Sequence, residues 1–143
     1  MGRRRSRRSA RASLPILAGD GTVEGGERAA ATLLAEHPAV TGLVCYNDLE
    51  AIGVLRALRA AGPDVPSQLS VTGCDDIAAA SWVVPRLTTV AQQKAEMGRL
   101  AVERLLAMLD AAEPAPAEVV RLPMLLRVRE STGPAAERGR QPG

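Results

Sequence analysis

The sequence predicts an α/β fold in which a mainly parallel β-sheet is flanked by helices. Apolar runs alternate with amphipathic stretches in the order β-α-β-α-β-(α)-β-α-β-β. The runs at 40–46 and 69–73 are largely apolar, which is typical of strands buried on both faces of a parallel sheet. Polar residues follow each run, beginning with Asn47 and Asp75. Because ligands bind beyond the carboxyl ends of parallel strands, these two positions are the first candidates for a binding site.

The first predicted elements are a strand and a helix. Residues 14–18 form a short apolar run, and Pro15 restricts that strand to a sheet edge because proline cannot donate to the ladder. Residues 19–22 form a turn. Thr22 is expected to cap a helix that continues to about Glu36, where apolar residues recur at helical spacing.

The rest of the chain continues the alternation. Apolar stripes predict helices, and short runs bounded by glycine or proline predict strands. The predicted elements are a helix at 49–61, a short helix at 77–82, an extended stretch at 87–90, a long helix at 93–110 and strand-like runs at 119–122 and 124–128.

Charge is distributed unevenly along the 143 residues. Six arginines crowd the first eleven positions, so the remainder is mildly acidic although the whole chain carries a net charge of +2. The globular part therefore has no basic footprint for nucleic acid. We expect residues 1–13 to be a disordered basic leader, with a nucleic-acid arm, a transit-like segment or sequence foreign to the fold as its possible origins. Residues 133–143 are expected to form a disordered tail.

Several function classes find no support in the sequence. Cys45 and Cys74 match no metal or redox spacing, and we expect buried, reduced thiols in a cytoplasmic protein. His37 is the only histidine, and neither a P-loop nor a GxGxxG pattern is present. No apolar run approaches the roughly 20 residues needed to span a membrane. We therefore expect no enzyme, no cofactor, no metal and no membrane contact.

Several short motifs resemble those of the LacI/GalR transcriptional regulators, and they occur in that family's order and spacing. The motifs are YND at 46–48, AIG at 51–53, LRAL at 55–58, P-x-x-L-S-V-x-G-x-D-D at 66–76, P-x-L-T-T-V-x-Q at 85–92, EMG at 96–98 and RVREST at 127–132. Each motif is weak alone, but together they are specific.

The resemblance implies a periplasmic-binding-protein-like effector domain. Family members carry a helix-turn-helix followed by two α/β lobes that bind a small molecule, often a sugar or nucleobase, between them. Residues 14–132 resemble the second lobe with the crossover into an incomplete first lobe, so DNA contact would need a helix-turn-helix that this chain lacks. The alternatives are a sugar-binding module of transport-protein type without DNA contact, or an inactive fragment that exposes apolar surface.

The resemblance also implies which residues contact the ligand. Asp75 can accept two hydrogen bonds from vicinal hydroxyls, and Asn47 offers both a donor and an acceptor. Gln92 is expected to face the cleft, and Asp20 follows the first predicted strand on the same edge. For each residue the alternative is a local capping, turn or hinge role. Relatives often carry an aromatic residue where this chain has Gly21, which weakens the expectation of sugar binding.

Two further aspartates receive a structural interpretation. Asp48 stands at the start of the helix predicted at 49–61 and is expected to cap it, with Asn47 as the other candidate. Asp76 precedes the short helix predicted at 77–82 and is expected to cap that helix.

The resemblance finally implies a homodimer formed through the second lobe. The helix at 49–60 and the segment at 78–84 correspond to the dimer face of the family. We expect Val54, Leu58 and Trp82 to be exposed anchors there. Ordinary core packing is the alternative for the apolar residues of that helix.

Overall fold

The described part of the chain forms a four-stranded β-sheet with helices beside it. A computed structural model describes residues 14–111 and 119–135. The strands lie in chain order; the first three run parallel, and the fourth is antiparallel to the third. The predicted α/β fold is thereby confirmed. The elements are strands β1 (Gly42–Val44), β2 (Ser70–Cys74), β3 (Thr88–Ala91) and β4 (Leu125–Arg127), helices α1 (Val23–Glu36), α2 (Asp48–Ala61) and α3 (Lys94–Asp110), and a short 3-10 helix (Ala78–Ser81).

Local sequence signals set the bounds of the first two helices. The Thr22 hydroxyl accepts a hydrogen bond of 3.0 Å from the Gly25 amide, which confirms Thr22 as the cap of α1. At the end of α2, Gly62 adopts a left-handed conformation with φ of +107° and donates its N–H to the Leu58 carbonyl. A side chain at Gly62 would be strained in this conformation, so glycine terminates the helix.

Helices α1 and α2 approach each other closely enough for their backbones to touch. A Cβ added to Gly53 would lie 1.9 Å from the carbonyl oxygen of Val23, and one added to Gly26 would lie 2.0 Å from that of Glu50. Only glycine fits at these two crossing points. The core beside them is built from aliphatic residues of both helices and of the sheet, including Ala30, Leu33, Val54, Leu55, Leu58, Val71 and Leu87.

The prediction of exposed dimer anchors is wrong for two of the three residues. Val54 is 1% exposed and Leu58 is fully buried, because the apolar stripe of α2 packs onto the sheet and α1. Neither side chain is available to a partner. Trp82 is 76% exposed, so its role as an interface residue stays a prediction.

Residues 14–18 do not form the predicted strand. The segment is irregular, and Leu14 and Ile16 are almost fully exposed. A strand needs a hydrogen-bonding neighbour, and an open groove of about 620 Å³ lies between this segment and β1, which both line it. The prediction is wrong because no strand among the described residues pairs with this apolar run.

The C-terminal elements lie apart from the core. Helix α3 matches its predicted range closely, but every one of its residues is at least partly exposed, and its apolar stripe faces outward. Strand β4 is exposed along its whole length, and the run predicted at 119–122 is not a strand. No helix within residues 14–111 and 119–135 is long and apolar enough to cross a membrane.

The two predicted disordered ends are only partly covered by the structure. The basic leader at 1–13 lies outside the described residues, as does the part of the tail from residue 136 onward. Gly133, the first residue assigned to the tail, exchanges hydrogen bonds with the Ser70 hydroxyl, donating at 3.1 Å and accepting at 3.3 Å. Gly133 is thus held against β2, and the disordered tail stays a prediction for the residues beyond it.

Candidate ligand-binding site

Three successive parallel strands end in predicted site residues. Asn47 follows β1, while Asp75 and Gln92 come directly after β2 and β3. Because these strands run parallel and lie side by side, all three residues stand at one edge of the sheet. All three are half-buried, so their polar groups are partly shielded from water.

Asp75 and Gln92 are held together at this edge. The Gln92 side-chain amide donates to Asp75 Oδ1 at 2.6 Å and lies 3.6 Å from the Cys74 sulfur. The Asp75 backbone N–H donates to the Val90 carbonyl at 2.9 Å. Asp75 has a φ of +120°, a conformation that residues with side chains rarely adopt and that clusters at functional sites. The hydrogen bond from Gln92 fixes Oδ1 of Asp75, whereas Oδ2 does not accept from the Gln92 amide.

Asp76 does not cap the short helix that follows it, which corrects the prediction. Its carboxylate pairs with the guanidinium of Arg129 at 2.5 Å, and Arg129 also donates to the Leu87 carbonyl at 2.8 Å. Arg127 approaches the same carboxylate at 3.8 Å. The charge of two arginines near the end of β4 outweighs a capping bond to the backbone. Asp76 therefore ties the turn after β2 to the segment that follows β4.

Asn47 is the cap of α2. Its Oδ1 accepts from the Glu50 amide at 2.8 Å, and its Nδ2 donates to the Gly21 carbonyl at 2.9 Å. The capping interpretation is confirmed. A ligand contact at this residue stays a prediction and would use the second amide hydrogen or the second lone pair.

The prediction that Asp48 caps the same helix is wrong. Asp48 is fully buried, and its two oxygens accept from the Ile77 amide at 2.9 Å and from the Thr89 hydroxyl at 2.5 Å. It thus joins α2 to β3 and to the turn that carries Asp75. The close approach requires glycine in β2, because a Cβ at Gly73 would lie 2.3 Å from Asp48 Oδ1.

Glu50 was not identified from the sequence. It is 8% exposed, and its Oε1 accepts from the Gly21 amide at 2.8 Å. Together with Asn47 it clamps both backbone polar groups of Gly21, whose φ is +78°. An acidic residue in the first turn of a helix ordinarily indicates a favourable interaction with the helix dipole, so no sequence signal marked this contact.

Asp20 lies next to this clamp, but its carboxylate faces α1. It accepts from the hydroxyl and the amide of Thr22, at 2.6 and 3.1 Å, and pairs with Arg28. These interactions, led by the hydroxyl, lower the pKa of Asp20. The predicted site residues thus form two groups at the sheet edge. Asp75 and Gln92 are hydrogen-bonded to each other, and Asn47 is hydrogen-bonded to Gly21, the residue after Asp20.

Both cysteines are free thiols near the same edge. Cys45 is buried as predicted, and burial, followed by the charges of Glu50 and Asp48, raises its pKa to about 12. Cys74 is half-buried beside Gln92. The Cys45 thiol therefore stays protonated at neutral pH and behaves as a small apolar group.

Comparison with known proteins identifies the family. A model described as the periplasmic binding protein-like domain matches residues 3–132. The chain belongs to this family. The regulator MalR of Streptomyces coelicolor is 41% identical over 120 residues, which cover 83% of the chain and 34% of the relative. The domain thus spans about a third of the length of the curated relatives that it matches.

Solved structures of LacI-family regulators share this periplasmic binding protein-like fold. The regulator from Enterococcus faecium with bound ribose superposes with a TM-score of 0.74 at 35% identity, covering 82% of this chain and 43% of that one. The regulator from Arthrobacter sp. FB24 in complex with lactose gives 0.72 at 39% identity, covering 82% and 44%. The resemblance to LacI/GalR regulators is confirmed.

Proposed function

We propose that this domain is part of the sensor of a DNA-binding transcriptional regulator and binds a small polyhydroxylated molecule, such as a sugar. The observation that carries the proposal is the polar edge, where Asn47, Asp75 and Gln92 follow three adjacent parallel strands. Ligands bind at this edge in open α/β sheets. Two solved relatives hold ribose and lactose, which supports a sugar as the class of ligand.

Asp75 is the central residue of the proposed site. One of its carboxylate oxygens is oriented by the Gln92 amide, so the other can accept from a ligand hydroxyl without reorganisation. Hydrogen bonds to a charged group contribute roughly 1.5–3 kcal/mol each. The carbonyl oxygen of Gln92 and the second amide hydrogen of Asn47 add an acceptor and a donor. This combination suits neighbouring hydroxyls on one ring.

Regulation of transcription extends the proposal beyond this chain. Relatives named as transcriptional regulators and repressors support it. We propose that DNA is contacted by a helix-turn-helix outside this chain, that the protein is a cytoplasmic homodimer with Trp82 at its interface, and that it binds its ligand without catalysis. A transport-type module without DNA contact is the competing function, and the relatives favour the regulator.

Titration of the ¹⁵N-labelled chain with ribose and with lactose tests the binding site. We expect the side-chain amide signals of Asn47 and Gln92 to shift when ligand is added. The Asp75→Ala substitution should remove most of the shift of the Gln92 signal. Asp64→Ala is the matched control, because Asp64 lies in the loop before β2, at the opposite edge of the sheet. Equal shifts in the Asp75→Ala variant and the wild type would remove Asp75 from the site.

A further inference from the structure

Gly21, Asn47 and Glu50 form a closed ring of hydrogen bonds beside the polar edge. Asn47 Nδ2 donates to the Gly21 carbonyl at 2.9 Å, the Gly21 N–H donates to Glu50 Oε1 at 2.8 Å, and the Glu50 N–H donates to Asn47 Oδ1 at 2.8 Å. Each residue thus donates once and accepts once within this hydrogen-bond ring. Because the ring joins the turn before α1 to the start of α2, none of its members can turn alone without breaking bonds.

The ring determines which atoms of the Asn47 amide face which neighbours. A half-turn of that amide would set its oxygen against the Gly21 carbonyl and its NH2 group against the Glu50 N–H, so both contacts would become repulsive. One amide hydrogen is used in the ring, and the other is left for a further acceptor. The orientation of the Asn47 amide is therefore set before any ligand arrives.

The carboxylate of Glu50 is not needed to cap α2. That cap uses the backbone N–H of Glu50, which any residue except proline supplies. The side chain is only 8% exposed, and among residues 14–111 and 119–135 no basic side chain pairs with it. A buried charge lowers stability unless hydrogen bonds compensate for the lost water. An apolar side chain would leave the cap in place, so the carboxylate serves the contact with Gly21.

Two glycines let the carboxylate reach this contact. A Cβ added to Gly19 would lie 2.1 Å from Glu50 Oε1 and would displace the carboxylate. Gly21 has a φ of +78°, a conformation in which a side chain is strained. A Cβ there would also lie 3.3 Å from Asn47 Nδ2. The turn at 19–22 is thus shaped to receive the side chain of Glu50.

We propose that Glu50 is a positioning residue of the ligand site. Its carboxylate holds Gly21, and Gly21 in turn holds the Asn47 amide with one N–H left for an oxygen of the ligand. This role rests on the proposed function, because it requires Asn47 to contact the ligand. Groups that are ordered in advance bind more tightly, since less freedom is lost on binding. Without the carboxylate the ligand has to order the turn and the amide itself, so its affinity falls.

Two variants of Glu50 test this role before any ligand is added. Glu50→Leu removes the acceptor and fills a similar space, whereas Glu50→Gln keeps an acceptor oxygen in the same place. We expect hydrogen exchange at the Gly21 amide to accelerate by roughly tenfold or more in the leucine variant and to stay within about threefold of the wild type in the glutamine variant. The two Nδ2 proton signals of Asn47 should move closer together only in the leucine variant, because its bonded and free protons become more alike.

Circular dichroism and thermal unfolding verify that both variants fold. Glu50→Ala removes the same acceptor and takes the place of the leucine variant if that variant does not fold.

Titration with ribose and with lactose then connects the ring to binding. We expect the dissociation constant of the leucine variant to rise by roughly fivefold or more, and the ligand-induced shift of the Asn47 amide to be lost. The shift of the Gln92 amide at saturation should remain, because Gln92 is held by Asp75 and not by the ring. Glu50→Gln should bind within about twofold of the wild type. This rescue distinguishes positioning from a general loss of structure.

The possible outcomes separate the role of Glu50 from the proposed function. A wild type that binds neither sugar contradicts the proposed function, and the ligand-free comparison still decides whether Glu50 positions Asn47. Unchanged Gly21 exchange together with unchanged Asn47 signals in Glu50→Leu overturns the positioning role. Equal sugar affinity of Glu50→Leu and the wild type overturns it as well.

Discussion

Replacement of Asp48 with alanine tests how the polar edge is held in place. The buried carboxylate accepts one hydrogen bond from the Ile77 amide and one from the Thr89 hydroxyl, and through them it fixes α2 against β3 and the turn that carries Asp75. The substitution leaves a half-buried amide and a buried hydroxyl without their acceptor. We therefore expect a large loss of stability and a looser Asp75.

The magnitude of the expected loss follows from these two bonds. Each hydrogen bond to a charged group contributes roughly 1.5–3 kcal/mol, and the loss is reduced because alanine avoids the cost of burying the carboxylate of Asp48. We expect a net decrease of about 3 kcal/mol in the free energy of unfolding. Asp48→Asn keeps one acceptor of the same shape, so its cost should be nearer to about 1 kcal/mol.

Urea denaturation followed by circular dichroism measures this loss, with Thr89→Val as the second arm of a double-mutant cycle. Residues in one hydrogen-bonding network show coupling of roughly 0.5–3 kcal/mol. We expect coupling within that range between Asp48 and Thr89. A change below about 0.5 kcal/mol for Asp48→Ala, or strictly additive effects, would refute the claim that this carboxylate fixes the turn.

Three further measurements address other contacts. Hydrogen bonds from the Arg86 amide and then from its side chain lower the pKa of Glu130. The Glu130 carboxylate therefore stabilises the fold above about pH 4.3, and its contribution is lost as pH falls through the lowered pKa of the folded state. The urea midpoint of Glu130→Gln should accordingly fall less than that of the wild type between about pH 5 and about pH 3. Cys45 should resist iodoacetamide at neutral pH in the native state, because its pKa is raised to about 12, and mass spectrometry after a timed reaction measures this. Gly53→Ala should cost roughly 1–3 kcal/mol in urea unfolding by forcing α1 and α2 apart, whereas Gly98→Ala, with open space at its Cβ, should stabilise α3 by up to about 1 kcal/mol. Equal effects of the two glycine substitutions would contradict the helix contact.

The sequence is informative wherever an element is specified by its own residues. Thr22 caps α1 through a local hydrogen bond, as predicted, and α2 ends at Ala61, the predicted end of that helix, where Gly62 adopts a left-handed conformation. Residues 14–18 show the limit of this reasoning. Their apolar run indicates a strand, but a strand exists only beside a partner, and the composition of a segment does not reveal whether its partner is present.

The sequence predicts which residues follow the strands, but it does not predict most of their contacts. The alternation of strands and helices implies that residues following parallel strands meet at one edge, which places Asn47, Asp75 and Gln92 correctly in the topology. Contacts between distant segments have no local signature. Asp48 was assigned to a neighbouring amide when its partners are 29 and 41 residues away, and Glu50 was overlooked because its partner is 29 residues away.

The distribution of exposed apolar surface separates what this chain stabilises by itself from what it leaves open. The polar edge is internally bonded, through Asp48, Glu50 and the ion pair of Asp76, and α1, α2 and the first three strands enclose a core. The exposed apolar residues concentrate instead on the groove walls, on α3 and on β4. These surfaces lie on opposite ends of the strand order, beside β1 and beyond β3. The polar edge therefore lies between two regions of exposed apolar surface.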